Sequence, residues 1–517
     1  MHRRTRNWLS VMGVLFIAVL LTANWRGTAS TRRGAIAAAA ISLEDRLQRS
    51  FTDPSPPTVN QLEPVDPPLP RPHPRVRFHH APKQLQAGAV ARDWTSFLGP
   101  SHNGVSDETR LLKKFGDGSP RLVWELAKGA GYASPSIQGD RLVYAHRLGD
   151  EGIVECLHAE TGELYWEFRY GTQFEDRFGY NNGPRASPVI DGERVFVYSA
   201  EGKLFCLKLT TGQVIWQRDL AREFGLPQDF FGTSTTPLIE GNMLIVNVGA
   251  PQGPCVTAFN TRTGRMEWGA GDKWGPSYAS PVPATVHGRR RVFVFAGGES
   301  KPPTGGLLCI DPANGGLDFE FPWRSRSFES VNASSPVIVN NQVFISANYS
   351  TGSALVDIRP DLQHAQLWHN KDLGTHWNTA VYRDGYFYGF DGHFEDDAAL
   401  LCIDAKTGAT VWREVPEWID TVSLGGLQRQ VATCIGRGTL LWVDGNFLCL
   451  GEFGHLLWLD LSPQGYRELS RVWLFQARQT WAPPVLSRGL LYLSQNSRGM
   501  VDRGSPRLLC YDLRGAE

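Results

Sequence analysis

The stretch Cys206-Leu207-Lys208-Leu209-Thr210-Thr211-Gly212-Gln213-Val214-Ile215-Trp216 decides the fold, because variants of it recur at a regular interval. They are Cys156-Leu157-His158-Ala159-Glu160-Thr161-Gly162 with Trp166, Phe259-Asn260-Thr261-Arg262-Thr263-Gly264 with Trp268, and Cys402-Ile403-Asp404-Ala405-Lys406-Thr407-Gly408 with Trp412. A looser copy begins at Cys309. A second phrase precedes each copy: Ala133-Ser134-Pro135, Ala186-Ser187-Pro188, Thr235-Thr236-Pro237, Ala279-Ser280-Pro281 and Ser334-Ser335-Pro336. These prolines fall about 44 to 55 residues apart, the period of a four-stranded propeller blade rather than of a helical repeat.

Within one repeat the pattern resolves into strands over Ser187 to Ile190, Arg194 to Tyr198, Lys203 to Lys208 and Gln213 to Arg218. Asp191-Gly192, Glu201-Gly202 and Thr211-Gly212 separate them, and glycine after a polar residue is the strongest local hairpin signal. Each unit is therefore an antiparallel meander whose closing tryptophan sits on the outermost strand. There an indole covers the neighbouring blade. Trp124, Trp166, Trp216, Trp268, a substitute around Phe321 and Trp323, Trp368, Trp412 and Trp473 are read as these blade-docking residues, and they count eight blades. The last unit (Pro484 to Leu486, Leu490 to Ser494, Leu508 to Leu513) lacks a fourth strand, while Leu122-Val123-Trp124 is a fourth strand without a blade. The expected fold is thus all-β, an eight-bladed propeller closed by a strand at about 121–125, which leaves no open sheet edge.

The chain has 517 residues, 42% of them hydrophobic, which suits one large β domain. With 52 basic and 52 acidic residues it has no basic field to attract nucleic acid. Cys156, Cys206, Cys309, Cys402 and Cys510 recur at one position of separate blades, too far apart to bridge, and read as small buried apolar residues. At the N-terminus, Arg3, Arg4 and Arg6 precede an uncharged stretch from Asn7 to Trp25, the pattern of an export signal peptide or signal anchor over 1–30. The region 31–92 contains a short alanine-rich stretch and then a proline-rich run from Thr52 to Lys83, expected to be an extended spacer, largely disordered. The propeller is assigned to 93–517. An exported protein of the periplasm or cell envelope is expected, tethered by residues 7–25 if the segment is kept.

The repeated A/S-S-P strand and T-G-x-x-x-W ending resemble those of the PQQ-like β-propeller repeat proteins, the group that includes the quinoprotein alcohol dehydrogenases and the assembly factor BamB. The resemblance covers about Asp93 to Leu513. Trp94 with Phe97-Leu98-Gly99-Pro100, Gly183 to Pro188 and Trp481 to Pro484 are similar to exported planctomycete-type members, although Leu98 stands where arginine is usual. For an enzyme, the resemblance implies PQQ with calcium, an aspartate base and a ring of two adjacent cysteines. No two cysteines are adjacent here, and no calcium-ligand set maps onto this chain. No catalytic residue and no resident metal are assigned. No G-x-S-x-G, P-loop or H-E-x-x-H motif is present either.

In a meander propeller, the loops into the innermost strands and those between second and third strands open on one face. Those loops place Asn182, Arg185, Asn332, His376, Trp377, Asn378 and Trp481, together with Asp391, His393 and Glu395, as a candidate ligand site at the funnel mouth. The leading expectation is a monomeric binding scaffold for a protein, glycan or small molecule. The alternatives are a PQQ-dependent dehydrogenase of alcohols or sugars and a BamB-like envelope assembly factor. The first cysteine is Cys156, so anchoring through a lipidated N-terminal cysteine is not expected.

Overall fold

Eight four-stranded antiparallel sheets follow one another along the chain in a computed structural model that describes residues 51–116, 120–394, 397–424, 426–501 and 503–515. The expected export segment and the alanine-rich stretch after it lie outside the described residues. Among the described residues, no helix is long and apolar enough to cross a membrane. Blades 1 to 7 span Ser136–Gly171, Val189–Asp219, Leu238–Ala270, Val282–Pro322, Val337–Asn370, Val381–Glu414 and Thr439–Trp473. Blade 8 joins Val485–Ser487, Leu490–Gln495 and Arg507–Asp512 to Arg121–Ala127, which pairs outside Arg507–Asp512 and closes the ring as the sequence predicts. The first strands of blades 1 to 4 touch in turn, as do those of blades 5 to 7, which places the first strands around the axis.

Both repeated phrases have a physical role. Each third strand meets its fourth with a bulge at one fixed place, beside the pairs Cys156–Trp166, Cys206–Trp216, Ala258–Trp268 and Cys402–Trp412. The bulge adds the residue that turns the indole toward the next blade, and a small side chain stands opposite it. The indole N–H of Trp124, Trp166, Trp216, Trp268, Trp368 and Trp412 then donates to a carbonyl of the following blade: Ala159, Leu209, Thr261, Pro312, Ala405 and Ser462, at 2.7 to 3.1 Å. The glycine of the T-G turn lies beneath that indole. Gly212 has φ 73°, and a Cβ there would sit 2.6 Å from the Trp166 ring, so both its backbone and its neighbour demand glycine. The A-S-P phrase links blades around the axis. The N–H groups of Ser134, Ser187, Thr236, Ser280 and Ser335 donate to the hydroxyls of Ser187, Thr236, Ser280, Ser335 and Thr379 at 3.1 to 3.2 Å, a relay through six blades.

Two docking assignments are corrected. In blade 4 the residue opposite Cys309 is Phe319, packed on His364 at 4.5 Å, rather than Phe321 or Trp323. In blade 7 the register puts Ser470 at the docking position, opposite Trp458. Trp458, on the third strand, takes over the docking and donates to Leu112 O at 2.9 Å. Trp473 instead stacks on His455 of its own blade, 4.4 Å between rings, and donates to Phe453 O.

The proline-rich run is no free spacer. Phe51 lies over Gly253 of blade 3, Thr58–Val59 pairs with the outer strand of blade 2, Arg71 bridges Leu164 of blade 1, and Val76–Phe78 pairs with Arg121–Ala127 of blade 8. This strap crosses four blades and is pinned by side chains. Asp53 binds the fully buried Arg218 at 2.5 Å, and His73 and Arg75 both reach the buried Glu155, which also meets His146. Proline offers no N–H for further pairing, so the strap ends the sheets it covers. A second unexpected element is the hairpin of Glu417–Leu424 and Leu427–Cys434 between blades 6 and 7. Asp420 fastens it, accepting from Trp418 Nε1 and Thr433 Oγ1 at 2.6 and 2.7 Å and meeting His455 Nε2 at 2.8 Å.

Candidate functional site

One face of the ring gathers the loops into the innermost strands and between second and third strands. Arg437, on the loop into blade 7, is the centre of a hydrogen-bonded cluster there. Its Nε and Nη2 fork onto Glu452 at 3.0 and 2.5 Å, and its Nη1 donates to His393 O at 2.5 Å. Glu452 is fully buried and also accepts the Arg437 backbone N–H and Trp481 Nε1, the latter at 2.7 Å. His376 faces Arg437 across 3.4 Å and lies 4.7 Å from the His393 ring and 5.6 Å from Tyr349. Burial, reinforced by Arg437 and His393, pushes the His376 pKa down to about 3, so this ring is neutral at physiological pH.

An arc of rings and guanidinium groups runs from this cluster to blade 2. Arg437 lies 5.5 Å from the Trp481 ring, Trp481 stacks on Tyr132 at 5.2 Å, and Arg185 lies 5.5 Å from Tyr132 and 5.3 Å from Phe231. Trp377 approaches Trp481 at 6.1 Å. Asp176 holds Arg185 at 2.5 Å while also accepting N–H groups of Phe178 and Asn181. Phe178, Tyr180 and Phe394 stand at the mouth, 53%, 47% and 62% exposed.

Of the residues expected here, Arg185, His376, Trp377, His393 and Trp481 come together. Asn182, Asn332, Asn378 and Asp391 serve the backbone instead. Asn182 Oδ1 accepts from Asp176 N, Asn332 Nδ2 donates to Ala296 O and Trp323 O, Asn378 Nδ2 donates to Gly438 O, and Asp391 Oδ1 accepts from Gly374 N. Glu395 lies outside the described residues. Tyr132, Arg437 and Glu452 were missed. Tyr132 precedes Ala-Ser-Pro just as Tyr278 does, a detectable signal, whereas the loop carrying Arg437 reads Gly436-Arg437-Gly438-Thr439 and lacks the phrase altogether.

The residues present do not fit a calcium-bound quinone. Glu452 and Asp176 are saturated by hydrogen bonds, and among the described residues no three His, Cys, Asp or Glu side chains are grouped to hold a metal ion. A further acid, Asp229, lies on the loop into blade 3 with its Oδ2 buried and unpartnered. Burial and the charge of Glu299 raise its pKa to about 7 against the opposing Arg177 and Arg324.

A family model described as outer membrane protein assembly factor BamB matches residues 150–414. The chain is 21% identical over 319 residues to the outer membrane protein assembly factor BamB of Moranella endobia (strain PCIT), covering 57% of this chain and 71% of that protein. Among solved structures, a europium-containing methanol dehydrogenase superposes with a TM-score of 0.55 at 11% identity, covering 81% of this chain and 98% of that one. The quinohemoprotein alcohol dehydrogenase from Comamonas testosteroni gives 0.54 at 11% identity, covering 82% and 81%. At these identities the structural likeness is one of fold.

Proposed function

Because the chain belongs to the family of the outer membrane protein assembly factor BamB, we propose that it is an exported propeller, tethered at the cell envelope, that holds a protein partner against its funnel face. The observation that supports this reading is the mouth itself. Phe178, Tyr180 and Phe394 project there, exposed, over the braced arc of Arg185, Tyr132, Trp481 and Arg437. Aromatic and arginine side chains on a rigid base are the commonest energetic anchors of protein interfaces, since they bury much area at little conformational cost. The carboxylates of Asp176 and Glu452 serve to brace Arg185 and Arg437 beneath this mouth.

The test is site-specific photo-crosslinking in the cell envelope, with the reactive group at position 178, at 394, or at Val411 on the outer rim. The reading requires one protein to be captured from both mouth positions and not from 411. It also requires that capture to fall at least tenfold in the Tyr180→Ser variant without loss of thermal stability. Equal capture from all three positions, or from none, defeats it.

A further inference from the structure

Beside the funnel, the same face carries a second recess of about 790 Å³ between blades 3, 4 and 5, a size typical of sites for compact ligands. Its lining contains no aspartate or glutamate, although the whole chain carries equal numbers of acids and bases. Arg324, Arg326 and Lys371 contribute three cations. Arg324 is built into the wall, its Nη1 donating to Ser300 Oγ and Thr304 O at 2.9 and 3.1 Å and its Nη2 to Ser330 O and Phe328 O, so the cations free to meet a ligand are Arg326 and Lys371, exposed at the lip. The aromatic part of the wall is Trp274, Trp323, Tyr349 and His369, with the Trp323 and His369 rings edge to face at 4.9 Å. Trp323 Nε1 and Thr351 Oγ1 are buried without a protein partner. Tyr349 and Ser350, on the turn closing the recess, both have left-handed backbone, φ 58° and 60°, a conformation that glycine or asparagine would adopt more easily.

We propose that this recess is a binding site for an anionic sugar, one bearing carboxylate or phosphate groups. The exposed Arg326 guanidinium and Lys371 ammonium take the anion. Indole and imidazole surfaces receive the C–H face of a pyranose, and the exposed Ser350 offers a hydroxyl of the kind that sugar hydroxyls pair with. An acidic peptide fits less well, because the wall is made of turns and strand ends and presents no free strand edge to an extended backbone. The recess adjoins the funnel cluster through Tyr349, but Phe178, Tyr180 and Phe394, the exposed residues of the partner-binding mouth, do not line it.

Titration of the purified full chain, followed by tryptophan fluorescence and calorimetry, tests the assignment with trigalacturonate and glucose 6-phosphate against neutral maltotriose and glucose. At least one anionic sugar is expected to bind, at least tenfold more tightly than its neutral counterpart. Binding should weaken at least tenfold in Arg326→Glu/Lys371→Glu, both surface changes. Trp323→Phe should bind with a diminished fluorescence response. Failure of both anionic sugars to bind, equal binding of the neutral ones, or indifference to the charge reversal overturns the proposal. Each of these outcomes is independent of crosslinking at 178 and 394.

Discussion

Trp216 joins two blades with a single side chain: it is fully buried, pairs across the bulge with Cys206, and donates to Thr261 O of the next blade at 3.1 Å. Trp216→Ala should therefore cost about 3–5 kcal/mol, read as a lower denaturant midpoint. Trp473→Ala, which empties a half-buried place within one blade, should cost about 1–2 kcal/mol. Comparable losses would mean that Trp473 docks after all. Asp229 supports a pH prediction. Its folded pKa of about 7 lies above the ordinary 3.8, so the protonated acid favours the fold, and that advantage disappears as pH rises from about 4 through 7. Asp229→Asn should leave stability unchanged near pH 4 and raise it at pH 8 by on the order of 2 kcal/mol; thermal melts at both values decide it. Residues that repeat once per blade were legible because repetition gave each one several witnesses. Arg437 and Glu452 occur once, in loops without a phrase, and their fork is visible only when two distant loops meet.

Strand order and turn positions followed from alternation and from X-Gly pairs, whereas the strap and the hairpin did not. A proline-rich run has the same composition whether it floats or lies in a groove. The residues that dock it, Asp53, His73 and Arg75, follow no period and find partners such as Arg218 and Glu155 far along the chain. The hairpin at 417–434 carries neither of the repeated phrases, so nothing periodic marks it in the sequence. Burial opposes ionisation of Glu155, but hydrogen bonds from His146 and His73, with the nearby charge of Arg75, outweigh it and hold the carboxyl well below its ordinary 4.5. The stabilisation from this network is complete above about pH 4.5 and is lost as pH falls through the lowered value. A chain beginning at Asp93 lacks His73 and Arg75. It should melt below the strapped protein at pH 7, with the gap narrowing toward pH 3. A gap that is absent at pH 7, or that widens in acid, would show that the strap contributes nothing through Glu155.

Eight similar blades make the molecule a nearest-neighbour ring, in which each interface supports the two beside it. The junction between blades 8 and 1 depends on Arg121–Ala127 lying against Arg507–Asp512. Deleting Leu122 to Trp124 should lower the melting temperature more than any single docking substitution and expose an edge that promotes self-association, read by light scattering. An unchanged melt would mean that the strap alone suffices as a clasp. The same junction sets a schedule for synthesis. Residues 121–127 leave the ribosome long before their partners at 507–512, so no nascent chain can close the ring before its eighth blade has been made. Until then it remains an open arc, a form whose unpaired edge chaperones can still hold.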